Sequence, residues 1–170
     1  MYNDDMNTQE IKRLFAYNAW ANNRVFEALS KIPETEYLRD LKSSYAGLGG
    51  TMVHLVGVEK LWLSRLIGKP ESSVIRLQDA PTLKQLKSTW EDVAARMARF
   101  LAKLDDRSLQ QAVPYTTTEG EQFSNSNQQI LQHVVNHSSY HRGQIAAMMR
   151  QVGAEPVNTD LIAFFRHTTV

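Results

Sequence analysis

His133, His137 and His141 recur at every fourth position of a stretch whose apolar residues also follow the helical period. With about 100° per residue and His133 at 0°, His137 falls near 40° and His141 near 80°. Ile130, Val134, Ile145, Met148 and Val152 fall between roughly 60° and 120° on the same count. The stretch therefore predicts an amphipathic helix with imidazoles one turn apart along the edge of its buried face. His141 lies in the apolar stripe, His137 at its edge and His133 farthest from it. A buried imidazole needs partners for both ring nitrogens, and a metal ion is one such partner. This ranks His137 and His141 as ligands and His133 as a supporting or surface residue. A polar face that merely happens to hold histidines would explain one of them better than three in register.

Two imidazoles do not complete a metal site. His54 is the candidate third ligand, in a second helical run from Thr51 to Leu63 that is apolar over much of its circumference. Alone it would read as a satisfied core histidine; beside a His-x-x-x-His pair it reads as a ligand. His167, close to the C-terminus, reads as tail. The paired Glu-x-x-His motifs of di-iron bundles are absent, as is His-Glu-x-x-His. With no cysteine in the chain, thiolate ligands, disulfides and a cysteine nucleophile are excluded, which suits a reducing cytoplasm.

At 170 residues and 42% hydrophobic, the chain has the material for one domain with a real core. Its 19 basic and 18 acidic residues leave a net charge of +1 with no basic block, so nucleic acid is not an expected partner. No secretory leader and no apolar run near 18 residues is visible, so neither is a membrane. Four long helices are expected, over about 8–31, 46–67, 83–104 and from 124–126 to about 151. Asn7 with Glu10, Thr82 with Gln85 and Ser126 with Gln129 are capping-box pairs. Pro33 stops the first helix, residues 32–44 form a polar connection, and the long link over 68–81, with Ser72 in it, allows a crossover. Residues 113–123 pattern as a short hairpin around Glu119-Gly120. Gly153 caps the last long helix, and a short helix over about 159–166 follows. Asp160 would cap that helix or reach a ligating histidine or Arg142.

Tyr17-Asn18-Ala19-Trp20-Ala21-Asn22, His54 with Glu59 and Trp62-Leu63, and Asn136-His137-Ser138-Ser139-Tyr140-His141-Arg142-Gly143-Gln144-Ile145, followed by Arg150, Gly153 and Asp160, together resemble the DinB family nearly end to end. The resemblance implies an all-α four-helix bundle with a small hairpin between the third and fourth helices. It implies a metal held by three histidines, which by position are His54, His137 and His141. It further implies a homodimer, to which we add the aromatic load of Trp20 and Trp90. One departure is visible: Ala46, Gly47, Gly49 and Gly50 stand where a regular helix start is expected.

Three neutral imidazoles would leave a divalent ion its full charge and an open position, and zinc and nickel both suit imidazole. Such an ion acidifies a bound water or thiol. The resemblance accordingly implies metal-dependent hydrolysis, or transfer using a low-molecular-weight thiol, on a small electrophilic substrate. The alternative is a non-catalytic metal-binding or dimeric interaction module. Glu59, Asn18, Tyr140 and Arg142 are the weaker candidates for groups supporting the site or touching substrate. Glu59, off the line of His54, reads most simply as a solvated carboxylate. Asn18 and Asn22 either line the metal cavity, bond between helices or are partly exposed. Because neutral imidazole is the ligand, metal binding is expected to fail below about pH 6.

Overall fold

The computed structural model describes residues 6–71 and 73–168, so Ser72 lies outside the described residues. Helix α1 spans Thr8–Leu29, and both halves of its capping box form: the Asn7 amide donates to Glu10 Oε2 (2.9 Å) and the Glu10 amide to Asn7 Oδ1 (3.0 Å). The expected boxes at Thr82–Gln85 and Ser126–Gln129 also close, starting α4 (Leu83–Ala102) and α6 (Asn127–Gln151). Each satisfies amides that a helix start leaves bare, an effect of about 1 kcal/mol. Between them lie the single-turn helix α2 (Glu34–Tyr37), α3 (Leu48–Leu66), a short 3-10 turn at Leu77–Asp79 and the single-turn α5 (Asp106–Leu109). Strands β1 (Ala112–Thr116) and β2 (Gln122–Ser126) pair antiparallel with Tyr115 opposite Phe123, and α7 (Leu161–Thr168) closes the described chain. Gly153 adopts a positive φ of 74° after α6, as its capping role requires.

The four long helices, α1, α3, α4 and α6, make the bundle. Helix α3 packs on α6 and α4, while α1 packs on α6 and, more sparsely, on α4; α1 and α3 are therefore diagonal. Connections 30–47 and 103–126 cross the bundle diagonally. The 68–81 link, expected to allow a crossover, instead joins neighbours. On α4 the buried residues Leu86, Trp90, Val93, Met97 and Leu101 form one stripe at helical spacing. They meet two clusters: Phe26, Leu29, Met52, Leu55 and Ile145 toward one end, and Ile11, Leu63, Ile130 and Leu131 toward the other. Each such side chain contributes about 1.5–3 kcal/mol when fully buried. Trp90 packs on Phe26 with ring centroids 5.2 Å apart, and Trp20 lies against Tyr17 and Phe164. The rings that suggested a dimer face thus pack within the chain.

The polar connection after α1 differs from expectation. Its one helical turn buries Tyr37, and the following loop folds back over the start of α3. A Cβ on Gly47 would collide with the Arg39 carbonyl oxygen, and one on Gly50 with the Tyr45 carbonyl oxygen. The small residues are there because backbone lies directly against the helix start. Ala46 takes a positive φ of 64° in this reversal, and α3 begins at Leu48. The loop's position matters because it carries Tyr45 onto the candidate site. Among the described residues, no helix is long and apolar enough to cross a membrane.

Candidate metal centre

His54 comes from α3 and His137 and His141 from successive turns of α6, at the seam where these two helices pack. The Nε2 atom of His137 lies 3.1 Å from His54 Nε2 and 3.1 Å from His141 Nε2. Among the described residues these three form a group that could hold a metal ion, with ligand atoms all within 4.8 Å of one another. The Nδ1–H of His141 donates to Gln144 Oε1 (2.8 Å), so the neutral ring presents a bare lone pair at Nε2. Tyr45 stacks on His54 at 3.9 Å between centroids and 15° between planes, which fixes the orientation of that imidazole. His137 Nδ1 is buried without a partner.

This arrangement tests the fit of a cation. A ring nitrogen makes one in-plane hydrogen bond, as donor or as acceptor. His137 Nε2 can therefore fully satisfy only one of its two short contacts, and the other is left a close approach of two nitrogens with no proton aimed along it. A divalent cation among the three nitrogens removes that conflict, and three neutral imidazoles are a donor set that zinc and nickel accept.

Protonation states agree. Burial, then the charge of His141, pushes His54 down to about 4. Burial, then the charges of His141, His54 and His133, pushes His137 down to about 3. Burial also lowers His141, against the opposing effect of its hydrogen bond to Gln144. The direction of these shifts moves proton competition with a metal below the pH 6 expected from free imidazole. The same shifts link the metal-free fold to pH. With the unfolded value near 6.5, the unfolded chain takes up protons below that pH which folded His54 and His137 refuse. The resulting stability is full above about pH 6.5 and is lost as pH falls through about 4 and then about 3. Urea midpoints of metal-free parent and His137→Ala protein, compared at pH 7.5, 6, 5 and 4, should diverge in slope, the parent falling more steeply. Parallel curves would refute the shift.

Glu59 is not solvated. It is 5% exposed and sits in the centre of the bundle, because burial on α3 turns it toward α1 rather than outward. Its Oε1 accepts from Asn18 Nδ2 (2.6 Å), Asn22 Nδ2 (2.9 Å) and Ser138 Oγ (2.8 Å). Asn18 and Asn22 in turn accept from Arg142 NH1, each at 2.7 Å. Arg142 NH2 donates to Tyr17 Oη (3.1 Å) and Ser139 Oγ (2.8 Å). Two asparagine amides thus bridge a buried carboxylate and a buried guanidinium, tying α1, α3 and α6 together. On α6, Ser138 and Arg142 each follow a histidine of the trio by one residue, about 100° around the helix, and among the described residues none of the network's hydrogen bonds reaches the trio, so Glu59, Asn18 and Arg142 position the helix.

The remaining candidates lie apart. Tyr140 is 64% exposed and touches His141 edge-on at 5.1 Å, at the rim of the site. His133 is exposed, packs edge-on against Trp62 and stands 5.7 Å from His137 between centroids, outside the trio. Asp160 is exposed; its backbone starts α7, and the partners of Arg142 are Asn18, Asn22, Tyr17 and Ser139 instead. His167 packs on Trp20 within α7 rather than forming loose tail. Gln144 was read only as part of the motif and not as the partner of His141, although its spacing of three from that residue was legible. Tyr45 escaped because a loop residue carries no period.

With bundle and histidine trio in place, comparison with known proteins gives a consistent class. The DinB family model matches residues 3–169, and the chain belongs to the DinB family. It is similar to Protein DinB of Bacillus subtilis (strain 168), 27% identical over 154 residues covering 87% of this chain and 89% of that one. It is also similar to the uncharacterized protein YizA of the same organism, 23% identical over 150 residues, 88% of this chain and 92% of the relative. A crystal structure of a DinB-like protein from Bacillus cereus ATCC 10987 shares the fold, with a TM-score of 0.68, 20% identity, and 93% and 99% of the two chains covered.

Proposed function

We propose that His54, His137 and His141 bind a divalent metal ion, zinc or nickel, and that the chain is a metal-dependent enzyme. It would act on a small electrophilic substrate, as a hydrolase or as a transferase using a low-molecular-weight thiol. The observation that carries this reading is the pair of 3.1 Å contacts at His137 Nε2, which protons alone cannot both satisfy. A bound divalent ion would supply acidification of water or thiol and polarisation of a carbonyl. The chain's own contribution is orientation: Gln144 sets the His141 tautomer, Tyr45 holds His54 in plane, and the Glu59–Arg142 network fixes α6 behind both α6 histidines. Tyr45 and Tyr140 offer aromatic walls at the site's exposed side, and His133, outside the trio, is the imidazole available to exchange a proton. We also propose that the chain works as a homodimer in the cytoplasm; sedimentation at high micromolar concentration tests the dimer, which a monomer would refute.

The test begins with metal analysis of untagged protein. Turnover of model esters, or of an electrophile with a thiol, is then measured before and after chelation. Turnover lost on chelation and restored by zinc or nickel is the expected result. Metal whose removal lowers thermal stability, with no turnover to lose, would favour the non-catalytic binding module instead.

A further inference from the structure

The network around Glu59 is asymmetric in a way the metal reading does not use. Oε1 accepts three hydrogen bonds, whereas no described residue donates to Oε2, which keeps contact with solvent rather than being sealed in the core. The residue as a whole is 5% exposed, so that access is confined to a narrow opening in an otherwise buried side chain. Glu59 also lines a cavity of about 470 Å³ between α1 and α4, the pair of neighbouring helices that packs most sparsely in the bundle. Glu59 belongs to α3, diagonal to α1, so the cavity reaches the bundle centre and the carboxylate stands at its inner end. The walls are apolar and aromatic: Phe15, Ala19, Trp90, Ala94 and Met97. Lys12, half-buried, is the other charged lining group.

We propose that this cavity is a second ligand site, separate from the histidine trio, for a small neutral aromatic alcohol whose hydroxyl donates to Glu59 Oε2. Volume and lining suit a compact ring system, and flat bodies pack well against Phe15, Trp90 and the Met97 thioether. The head group must donate, because the free atom is a carboxylate oxygen, which accepts. It should be neutral, because Arg142 balances Glu59 through the two asparagine amides, and an ammonium would bury an uncompensated charge. An anion would meet the carboxylate directly.

The test uses 2-naphthol and its methyl ether, 2-methoxynaphthalene, which keeps the ring and loses the donor. Binding to the full chain is measured by calorimetry with and without zinc. Naphthol should bind saturably and at least about tenfold more tightly than the ether, the lower end of what one hydrogen bond to a carboxylate contributes, in both metal states. Glu59→Gln keeps an acceptor for Asn18, Asn22 and Ser138 but replaces Oε2 by an N–H donor, and should erase the preference. Ala94→Phe, which leaves the polar network alone, should remove binding of both compounds while zinc uptake and helical circular dichroism persist; it decides the matter if Glu59→Gln does not fold. Equal affinity of the two compounds, a preference retained in Glu59→Gln, or no saturable binding would overturn the proposal. So would naphthol binding that Ala94→Phe spares and His137→Ala abolishes, since the compound would then occupy the metal centre. A dimer that Ala94→Phe dissociates and naphthol does not disturb would show that a second copy covers the cleft instead.

Discussion

His137→Ala should lose zinc or nickel affinity by more than about 100-fold, the largest effect of any single substitution at the site. Loss of groups that merely support a ligand commonly costs about 10- to 100-fold, so loss of a ligand itself should exceed that range. His137 is the most sensitive position because its Nε2 is the atom that touches both other imidazoles at 3.1 Å. His54→Ala and His141→Ala should follow closely, each leaving two nitrogens. His133→Ala should bind within a few-fold of the parent, because its ring is exposed and edge-packed on Trp62. Competition titrations with a chromogenic chelator measure all four, and circular dichroism should show unchanged helix content. Retained affinity in His137→Ala, or its loss in His133→Ala, would show that the metal sits elsewhere on the helix.

Arg142→Ala should destabilise the fold by about 3–5 kcal/mol, the usual consequence of removing one charge from a buried, compensated pair. The side chain is 2% exposed and satisfies Asn18, Asn22, Tyr17 and Ser139 at once. Its removal leaves two amide oxygens without their donor and Glu59 without a counter-charge. Arg142→Lys should recover little, because a single ammonium cannot span the same fork of acceptors. Urea unfolding of metal-free protein gives the number directly. A change below about 1 kcal/mol would mean that the guanidinium is not a structural centre of the bundle, since surface substitutions fall in that range. Arg142→Ala should also weaken metal binding less than His137→Ala, because it acts on the helix that carries the ligands and not on the ligands.

The helices and their caps were legible in the sequence because they depend on local relations. Asn7–Glu10, Thr82–Gln85 and Ser126–Gln129 bond within one turn, and the stripe from Leu86 to Leu101 needs only the helical period. The ranking of His137 and His141 over His133 came from the same angular count, since one helix face decides burial before any partner is known. His54 read as a ligand only beside the His-x-x-x-His pair, a choice the family resemblance matched by position, because a lone histidine in an apolar run has the same local signature whether it is core or ligand. Glu59 marks the limit of local reasoning. A single acidic residue reads as solvated when its neighbours are unknown; its burial depends on Asn18 and Asn22 reaching across the bundle diagonal and on Arg142 balancing the charge. Tyr45 reaches His54 only because glycines at 47 and 50 let the preceding loop lie against α3. These contacts join residues far apart in the chain, and their formation is a property of packed backbones rather than of sequence spacing.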